Sequence, residues 1–449
     1  MKRVMVDMSA TLIHHGHVRI LKEAAHFGEV IVGLTTDEQI LACKGYEPEL
    51  SFVERKAILE AFEMVTEVVP TPWLITDAIL EQYRIDLLLH GSDNSNPVTI
   101  SKLKKIPRTS GISSTQLRQR AQASLVNIQN KKLMLTPGPA GVLKENLTEL
   151  KPVFGRGDHE YQALSTAVLG WIKNLSGQDE VVAAQGSATF ALEMAAKAFV
   201  RGKILLLSTG YYSDRLVQLL PPDCQVTKID YKDMEQVTGE FDWLLCAYTE
   251  TSRAFKLDLP RVKEKANSLG ARLYVDATGS IGLEDHHELG DVIAFSSCKG
   301  LFGLTGACFV AYKGRLSMND VSELYYRIET HKQHIVTGPY HALTSLHGVI
   351  RSHSLLRERV RASKETVLTQ CAEFVESLDH QPMLCTYLSA KVIATDDQVV
   401  LYQPRSNLPG SIVCHLGEVH KSSVTMLNRI EINPLYTRSC ERQLLIECS

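Results

Sequence analysis

The chain has 449 residues, enough for two to four domains with substantial cores. Hydrophobic residues make up 44% and charged residues 22%, which excludes a disordered or fibrous chain and reads as an ordinary globular one. A net charge of −3 argues against nucleic acid as a partner, and no stretch reaches the roughly 18–20 apolar residues of a membrane span.

The chain opens on RVMVDM, a strand. Asp7 interrupts this apolar run, so the amino terminus does not read as a secretion signal and a cytoplasmic location is expected. HVRILKEAAHF reads as a helix and EVIVGLTT as a strand. SFVERKAILEAFEMV is a helix that starts with a capping box, Ser51 and Glu54. EVVP, DAILEQYR and DLLLHGSD continue as strand, helix and strand. Such alternation predicts a parallel sheet covered by helices, with ligands at the carboxyl ends of the strands. His14, Lys44, Gly91 and Asp93 are expected just past such ends.

MSATLIHHGH places His14 and His17 three apart around Gly16. A helix beginning near Gly16 turns both imidazoles toward its amino end, where backbone N–H groups also point. That arrangement suits a phosphate gaining charge in a transition state. A metal site or three surface histidines are the competing readings, but no carboxylate or cysteine stands at ligand spacing. Further on, RTSGISSTQLR sets a glycine turn and three hydroxyls, Ser113, Ser114 and Thr115, at a helix start, with Arg108 before and Arg118 after. It reads as a second anion cradle or as an ordinary helix cap.

Together HHGH, SFVERKAIL, the GSD turn from Gly91 to Asp93 and GISST after Arg108 and Thr109 resemble the HxGH cytidylyltransferases. The resemblance covers residues 1–118 and implies a Rossmann-like nucleotidyltransferase domain that uses CTP with Mg²⁺. It implies attack by a phosphate or phosphonate oxygen on the α-phosphorus, loss of pyrophosphate and no covalent intermediate. By the same resemblance His14 and His17 steady the five-coordinate phosphorus, Lys44 meets the nucleotide's phosphates and Ser9 belongs to the nucleotide-binding set. Arg108, Ser113, Ser114 and Thr115 hold the triphosphate, and Gly91 and Asp93 lie by the nucleoside. Where the family has GTFD, this chain has Met8, Ser9, Ala10 and Thr11. MSATLIHHGH is closer to the cytidylyltransferase domains attached to phosphoenolpyruvate mutases of phosphonate pathways.

A polar stretch without aromatics follows, and residues 121–131 are expected as a linker between domains at 1–120 and 132–449. KLMLTPGPAG opens the second unit. EVVAAQ, KILLLSTG, QVTKIDY, WLLCAYTE, RLYVDA, VIAFSS and CFVAY are strand candidates. EYQALSTAVLGWIKNL, SATFALEMAAKAFV and PRVKEKANSL are helix candidates. A helical zone from Tyr340 to Leu378 and a strand-rich tail then predict a small α+β subdomain. The ten cysteines form no CxxC pair and several lie in apolar runs, as buried free thiols would in a reducing compartment.

Three features of this unit belong together. AAQGSATF offers Gly186, Ser187 and Ala188 as a turn into a helix, fit for a phosphate. Asp276 ends the run RLYV, where a carboxylate meets a protonated pyridine nitrogen. Lys299 follows IAFSS, where an amine kept from water becomes a nucleophile. Singly each is ordinary; in order, in one α/β unit, they make a pyridoxal phosphate site. Residues 131–449 resemble class V aminotransferases of fold type I, and 2-aminoethylphosphonate–pyruvate aminotransferases in particular, through LMLTPGP, QGSATFALE, STGYYSDR, TETS, VDATGS and SSCKG. The resemblance implies that Tyr212 stacks on the cofactor ring, Thr251 touches it, and Arg429 in LNRIEI binds the substrate's anionic group. It also implies that Thr337 reaches the phosphate in a neighbouring subunit, hence a homodimer through this domain.

Both resemblances imply one sequence of steps. Phosphonoacetaldehyde and an amino donor such as alanine give 2-aminoethylphosphonate, and CTP converts this to CMP-2-aminoethylphosphonate for decorating a glycan or lipid. The same chemistries on dihydroxyacetone phosphate would give serinol phosphate and its CDP derivative. A first domain that only binds nucleotide and regulates the transaminase, or a pyridoxal phosphate lyase or decarboxylase, are further readings.

Overall fold

The computed structural model describes residues 1–92, 95–129, 132–148, 150, 155, 157–375, 379–419 and 426–435. The chain divides into two compact units, Met1–Leu125 and Val126–Ser449.

The first unit runs β1 (Arg3–Met8), α1 (His15–Ala25), β2 (Glu29–Thr35), α2 (Asp37–Lys44), α3 (Phe52–Glu60), β3 (Val65–Thr71), α4 (Asp77–Gln82), β4 (Leu87–Gly91), β5 (Leu103–Ile106) and α5 (Ser114–Gln129). All five strands are parallel, in the order β3-β2-β1-β4-β5. The order reverses between β1 and β4, which opens a crevice at their carboxyl ends. Val4, Met5 and Val6 are all fully buried, as in a sheet covered on both faces.

Two elements had no clear signal. α2 buries only Ile40, so its sequence carries little apolar periodicity. β5 is the edge strand LKKI, without a fully buried residue; its lysines blunt an open sheet edge. Lys44 therefore ends a helix rather than following a strand. α3 stops at Glu60 and not at Val65, because the β-branched Val65 already pairs with Val30 in the sheet. Residues 121–129 of the expected linker continue α5.

The second unit begins with β6 (Leu133–Leu135), α6 (Lys144–Thr148), α7 (His159–Ser176), β7 (Glu180–Gln185), α8 (Ala188–Phe199), β8 (Lys203–Ser208), α9 (Tyr211–Arg215), β9 (Gln225–Asp230) and β10 (Trp243–Ala247). A short hairpin, β11 (Thr249–Glu250) and β12 (Phe255–Lys256), precedes α10 (Leu259–Ser268), β13 (Arg272–Asp276), β14 (Val292–Ser296) and β15 (Ala307–Tyr312). Seven strands form one sheet in the order β7-β15-β14-β13-β10-β8-β9, with β15 antiparallel to both neighbours and the others beyond it parallel. Along β8 and β10, Leu205, Leu207, Leu244 and Cys246 join one core while Ile204, Leu206, Trp243 and Leu245 join another. This period of two buries both faces, at about 1.5–3 kcal/mol per fully buried aliphatic side chain.

A short helix, α11 (Ile328–Lys332), precedes the expected helical zone, which resolves into α12 (Tyr340–Val349) and α13 (His353–Gln370), and part of its expected end lies outside the described residues. Strands β16 (Cys385–Leu388), β17 (Ala390–Ala394), β18 (Val399–Leu401), β19 (Ser411–Cys414) and β20 (Ile430–Pro434) follow. β16 pairs with β19, β17 with β20, and β18 with the distant β6. Among the described cysteines Cys246, Cys308, Cys371, Cys385 and Cys414 are buried free thiols, as expected, whereas Cys43 is exposed.

Candidate active sites

A cavity of about 400 Å³ opens over the carboxyl ends of β1, β2 and β4 in the first unit. His14 is the N-cap of α1, extended at φ −147° and ψ 170°. Its Nδ1 accepts the Gly16 N–H at 3.2 Å, and its own N–H donates to His17 Nδ1 at 3.2 Å. Each Nδ1 is thus an acceptor, so in the neutral rings each Nε2 carries the proton. The two rings lie 4.0 Å apart and both line the cavity. Gly16 lets the ring lie close: a Cβ there would stand 3.0 Å from the His14 ring, so the ring would have to give way.

Burial, then the neighbouring His14, pushes His17 down from 6.5 to about 4. Burial, then His15 and Arg108, also lowers His14. The pair is therefore neutral near pH 7 and offers two N–H donors beside a helix amino end, without the repulsion of two adjacent cations. The same burial makes stability depend on pH. Between pH 6.5 and about 4 the unfolded chain carries a proton on His17 that the folded chain lacks, so acid favours unfolding in that window. The shift is worth ~3 kcal/mol, present in full above pH 6.5 and lost as pH falls toward 4. His287, buried and lowered to about 4, adds a loss of the same sign. Urea unfolding at pH 7 and pH 4.5 checks this; a flat profile would contradict the buried, neutral histidines.

The cavity wall gathers the other expected residues. Lys44 Nζ sits 3.2 Å from Ser9 Oγ and 5.1 Å from the centre of the Trp73 ring. Arg108, Ser113, Ser114, Thr115 and Gly91 all line it. Ser113 Oγ accepts the Gln116 N–H at 3.1 Å, so the capping reading holds at that residue, and Ser114 Oγ donates to the Leu12 carbonyl at 3.3 Å. Arg118 donates to Glu49 Oε2 at 2.6 Å and to Thr11 Oγ1 at 3.1 Å. Asp93 lies outside the described residues.

Two side chains that the sequence reading did not single out shape this cavity. Arg55 is fully buried and donates to the Thr35 carbonyl at 3.0 Å, to Asp37 Oδ1 at 2.6 Å and to the Ser9 carbonyl. It ties together the ends of β1 and β2. Asp7, one register step beyond the Val6–Leu89 pair, faces His90 Nε2 at 3.5 Å and accepts the Asn96 amide at 2.9 Å. Among the described lining residues Asp7 is the sole carboxylate. Its signal was present as the acid that broke an apolar strand.

In the second unit Lys299 follows β14, with Nζ 5.9 Å from the centre of the Tyr212 ring. Gly138, at φ +129°, packs on the lysine stem; a Cβ there would stand 2.9 Å from Lys299 Cγ. Tyr212 is oriented from below by Glu250, whose Oε2 accepts the Tyr212 and Ser213 N–H groups at 3.0 Å each. Glu250 is fully buried and also accepts the Ser252 N–H at 3.2 Å. Thr251, 2% exposed, lies between them in the chain. Asp276 ends β13 with 5% exposure and accepts the Thr278 N–H at 2.9 Å. Ser187, extended at φ −91° and ψ 167°, precedes α8 and makes no side-chain cap, so Gly186, Ser187 and Ala188 present the amino end of a twelve-residue helix.

These residues fit pyridoxal phosphate. Among the described residues no cation is ion-paired with the buried carboxylate of Asp276, and a buried carboxylate without a counter-charge is costly. A protonated ring nitrogen answers that need, and the α8 terminus answers a phosphate. Two expected residues stand apart from this group. Thr337 is exposed on the segment between α11 and α12. Arg429 is held by Asp396, with its Nη2 and Nε at 2.7 and 3.0 Å from the two carboxylate oxygens.

Residues 10–120 match the model of the family described as cytidylyltransferase-like. The glycerol-3-phosphate cytidylyltransferase of Bacillus spizizenii is 34% identical over 125 residues, 26% of this chain and 96% of that protein. The ethanolamine-phosphate cytidylyltransferase of Arabidopsis thaliana is 32% identical over 131 residues, and the chain spans only 31% of its length. The 2-aminoethylphosphonate–pyruvate transaminase of Pseudomonas fluorescens is 26% identical over 252 residues, 49% of this chain and 68% of that protein. The pyridoxamine-pyruvate aminotransferase of Mesorhizobium loti shares the fold, with a TM-score of 0.56 and 16% identity over 64% of this chain and 87% of that one.

Proposed function

Since the chain belongs through residues 10–120 to the cytidylyltransferase-like family and continues in an aminotransferase fold, we propose a bifunctional enzyme that aminates a short phosphonate and then cytidylylates it. Phosphonoacetaldehyde and an amino donor such as alanine give 2-aminoethylphosphonate and the donor's 2-oxo acid, pyruvate in the case of alanine. A phosphonate oxygen of that product bonds to the α-phosphorus of CTP while the bond to the β-phosphate breaks, giving CMP-2-aminoethylphosphonate and pyrophosphate.

The observation that carries this reading is Asp7. The first cavity is lined by His14, His17, Lys44, Arg108 and Arg118, a surface for phosphates, yet among its described lining residues stands one acid, at the switch point between β1 and β4. An acceptor with an anionic head and an ammonium tail uses both, and transamination makes such a molecule. The imidazole Nε2–H groups donate to the oxygens that gain charge, and Lys44 and the arginines neutralise the triphosphate. Mg²⁺ enters as the counter-ion of CTP, held mainly by its phosphates.

In the second unit pyridoxal phosphate, when bound, supplies the electron sink at the carbon that bears the amine. Lys299 holds the cofactor and moves the proton at that carbon. Asp276 keeps the ring nitrogen protonated, the α8 amino end and Ser187 hold the phosphate, and Tyr212 and Thr251 bound the ring's faces. Arg429 reads the substrate anion only if its pair with Asp396 opens, and Thr337 serves a neighbouring subunit in a homodimer.

Phosphorus NMR of the full chain with CTP and 2-aminoethylphosphonate tests the second step. A phosphonate–phosphate anhydride and pyrophosphate are expected, and no reaction would sink it. Asp7→Asn should raise the KM for 2-aminoethylphosphonate by about 10-fold to 100-fold, the worth of a hydrogen bond to a charged group. Acceptors without an amine, such as ethylphosphonate, should keep their KM; equal losses on both would remove Asp7 from amine recognition.

A further inference from the structure

A second cavity, of about 850 Å³, opens in the Val126–Ser449 unit at the carboxyl ends of β8 and β9, and its lining includes none of the residues assigned to the cofactor. Its size is within the range of small-ligand sites. Aromatic rings dominate one part of the wall: Phe255 and His380 lie 5.2 Å apart at 30°, and Tyr231 stands 5.7 Å from Phe255. Lys232 and Arg253 also line it, and neither is ion-paired among the described residues. Other cations of this unit do have partners, Lys228 with Asp214 at 2.7 Å and Lys256 with Glu284 at 3.0 Å. The one lining acid, Asp230, is committed to its own turn, accepting the Lys232 N–H at 2.9 Å.

The backbone holds this wall in unusual conformations. Ala254, between Arg253 and Phe255, has φ 50°, and His380 has φ 65°, left-handed values that L residues resist. Contacts in both directions join the two segments: the Lys256 N–H donates to the His380 carbonyl at 2.5 Å, and His380 Nδ1 lies 3.1 Å from the Lys256 carbonyl. Flat rings beside two cations that have no ion pair among the described residues make a surface for a flat, anionic molecule. We infer that this cavity is a binding site for a nucleoside phosphate, separate from both catalytic centres. Its occupancy has a route to the cofactor site, because Ser406 on its wall bonds Ser252 Oγ at 2.8 Å, and Ser252 bonds the Glu250 that orients Tyr212.

CMP is the probe, being the group the first unit is proposed to transfer. Equilibrium dialysis counts CMP bound per full-length chain in wild type, in His14→Ala/His17→Ala and in Lys232→Glu/Arg253→Glu. Wild type should bind two and each double variant one, with at least ~10-fold weaker binding at the reversed charges. One CMP in wild type, lost only with Lys232 and Arg253, leaves this site standing and removes nucleotide binding from the first unit. Equal counts in wild type and Lys232→Glu/Arg253→Glu overturn the inference, as does inorganic phosphate competing as well as CMP. Both substituted side chains are exposed, so an unchanged thermal melt is expected; if it shifts, Lys232→Gln/Arg253→Gln repeats the count.

Discussion

Lys299→Ala should abolish transamination while leaving cytidylyl transfer intact. The amine alone can hold the cofactor and carry the proton at the reacting carbon, and general acid–base catalysis of that kind is worth about 10²–10⁴-fold. Loss of the covalent link adds to this, and the variant should also lose the visible absorption of the lysine-bound cofactor. The fold should survive, because Lys299 is only half-buried and lies past the end of β14, whose core is Ile293 and Phe295. Measuring both activities and the spectrum on one preparation is decisive. A colourless wild type, or a Lys299→Ala variant of full transaminase rate, would refute the second site.

His17→Ala should lower kcat for cytidylyl transfer by about 10²–10³-fold, the worth of one donor aimed at developing charge. Part of any loss could be structural, since His17 Nδ1 also accepts the His14 N–H at the start of α1. A lost helix cap costs about 0.5–2 kcal/mol, which a urea melt reads independently of rate. His17→Gln restores a donor and should recover some of the rate. Transaminase activity should not move. A His17→Ala enzyme within a few-fold of wild type would leave the first unit a nucleotide binder and not a catalyst.

The chemistry-bearing residues were legible because they interrupt a pattern. His14 and His17 crowd a strand-to-helix turn, and Asp276 and Lys299 follow buried runs, Leu273 to Val275 and Ile293 to Ser297. Alternating apolar runs likewise determined the parallel sheets, since Val4 to Val6 and Leu244 to Cys246 have no polar face to show. The edge strand β5 and the helix α2 were silent for the converse reason, as they bury almost nothing.

Tertiary structure alone decided what lies beside what. It brought Asp7 to His90 across the switch point from 83 residues away, set Glu250 beneath Tyr212, and paired β6 with β18. It also gave Arg429 a partner in Asp396, which its position in LNRIEI did not foretell. Periodicity reports which residues leave water, because burial is a property of each side chain and its strand or helix. Which buried groups then meet depends on strand order and loop closure, and those are settled only when the whole chain packs.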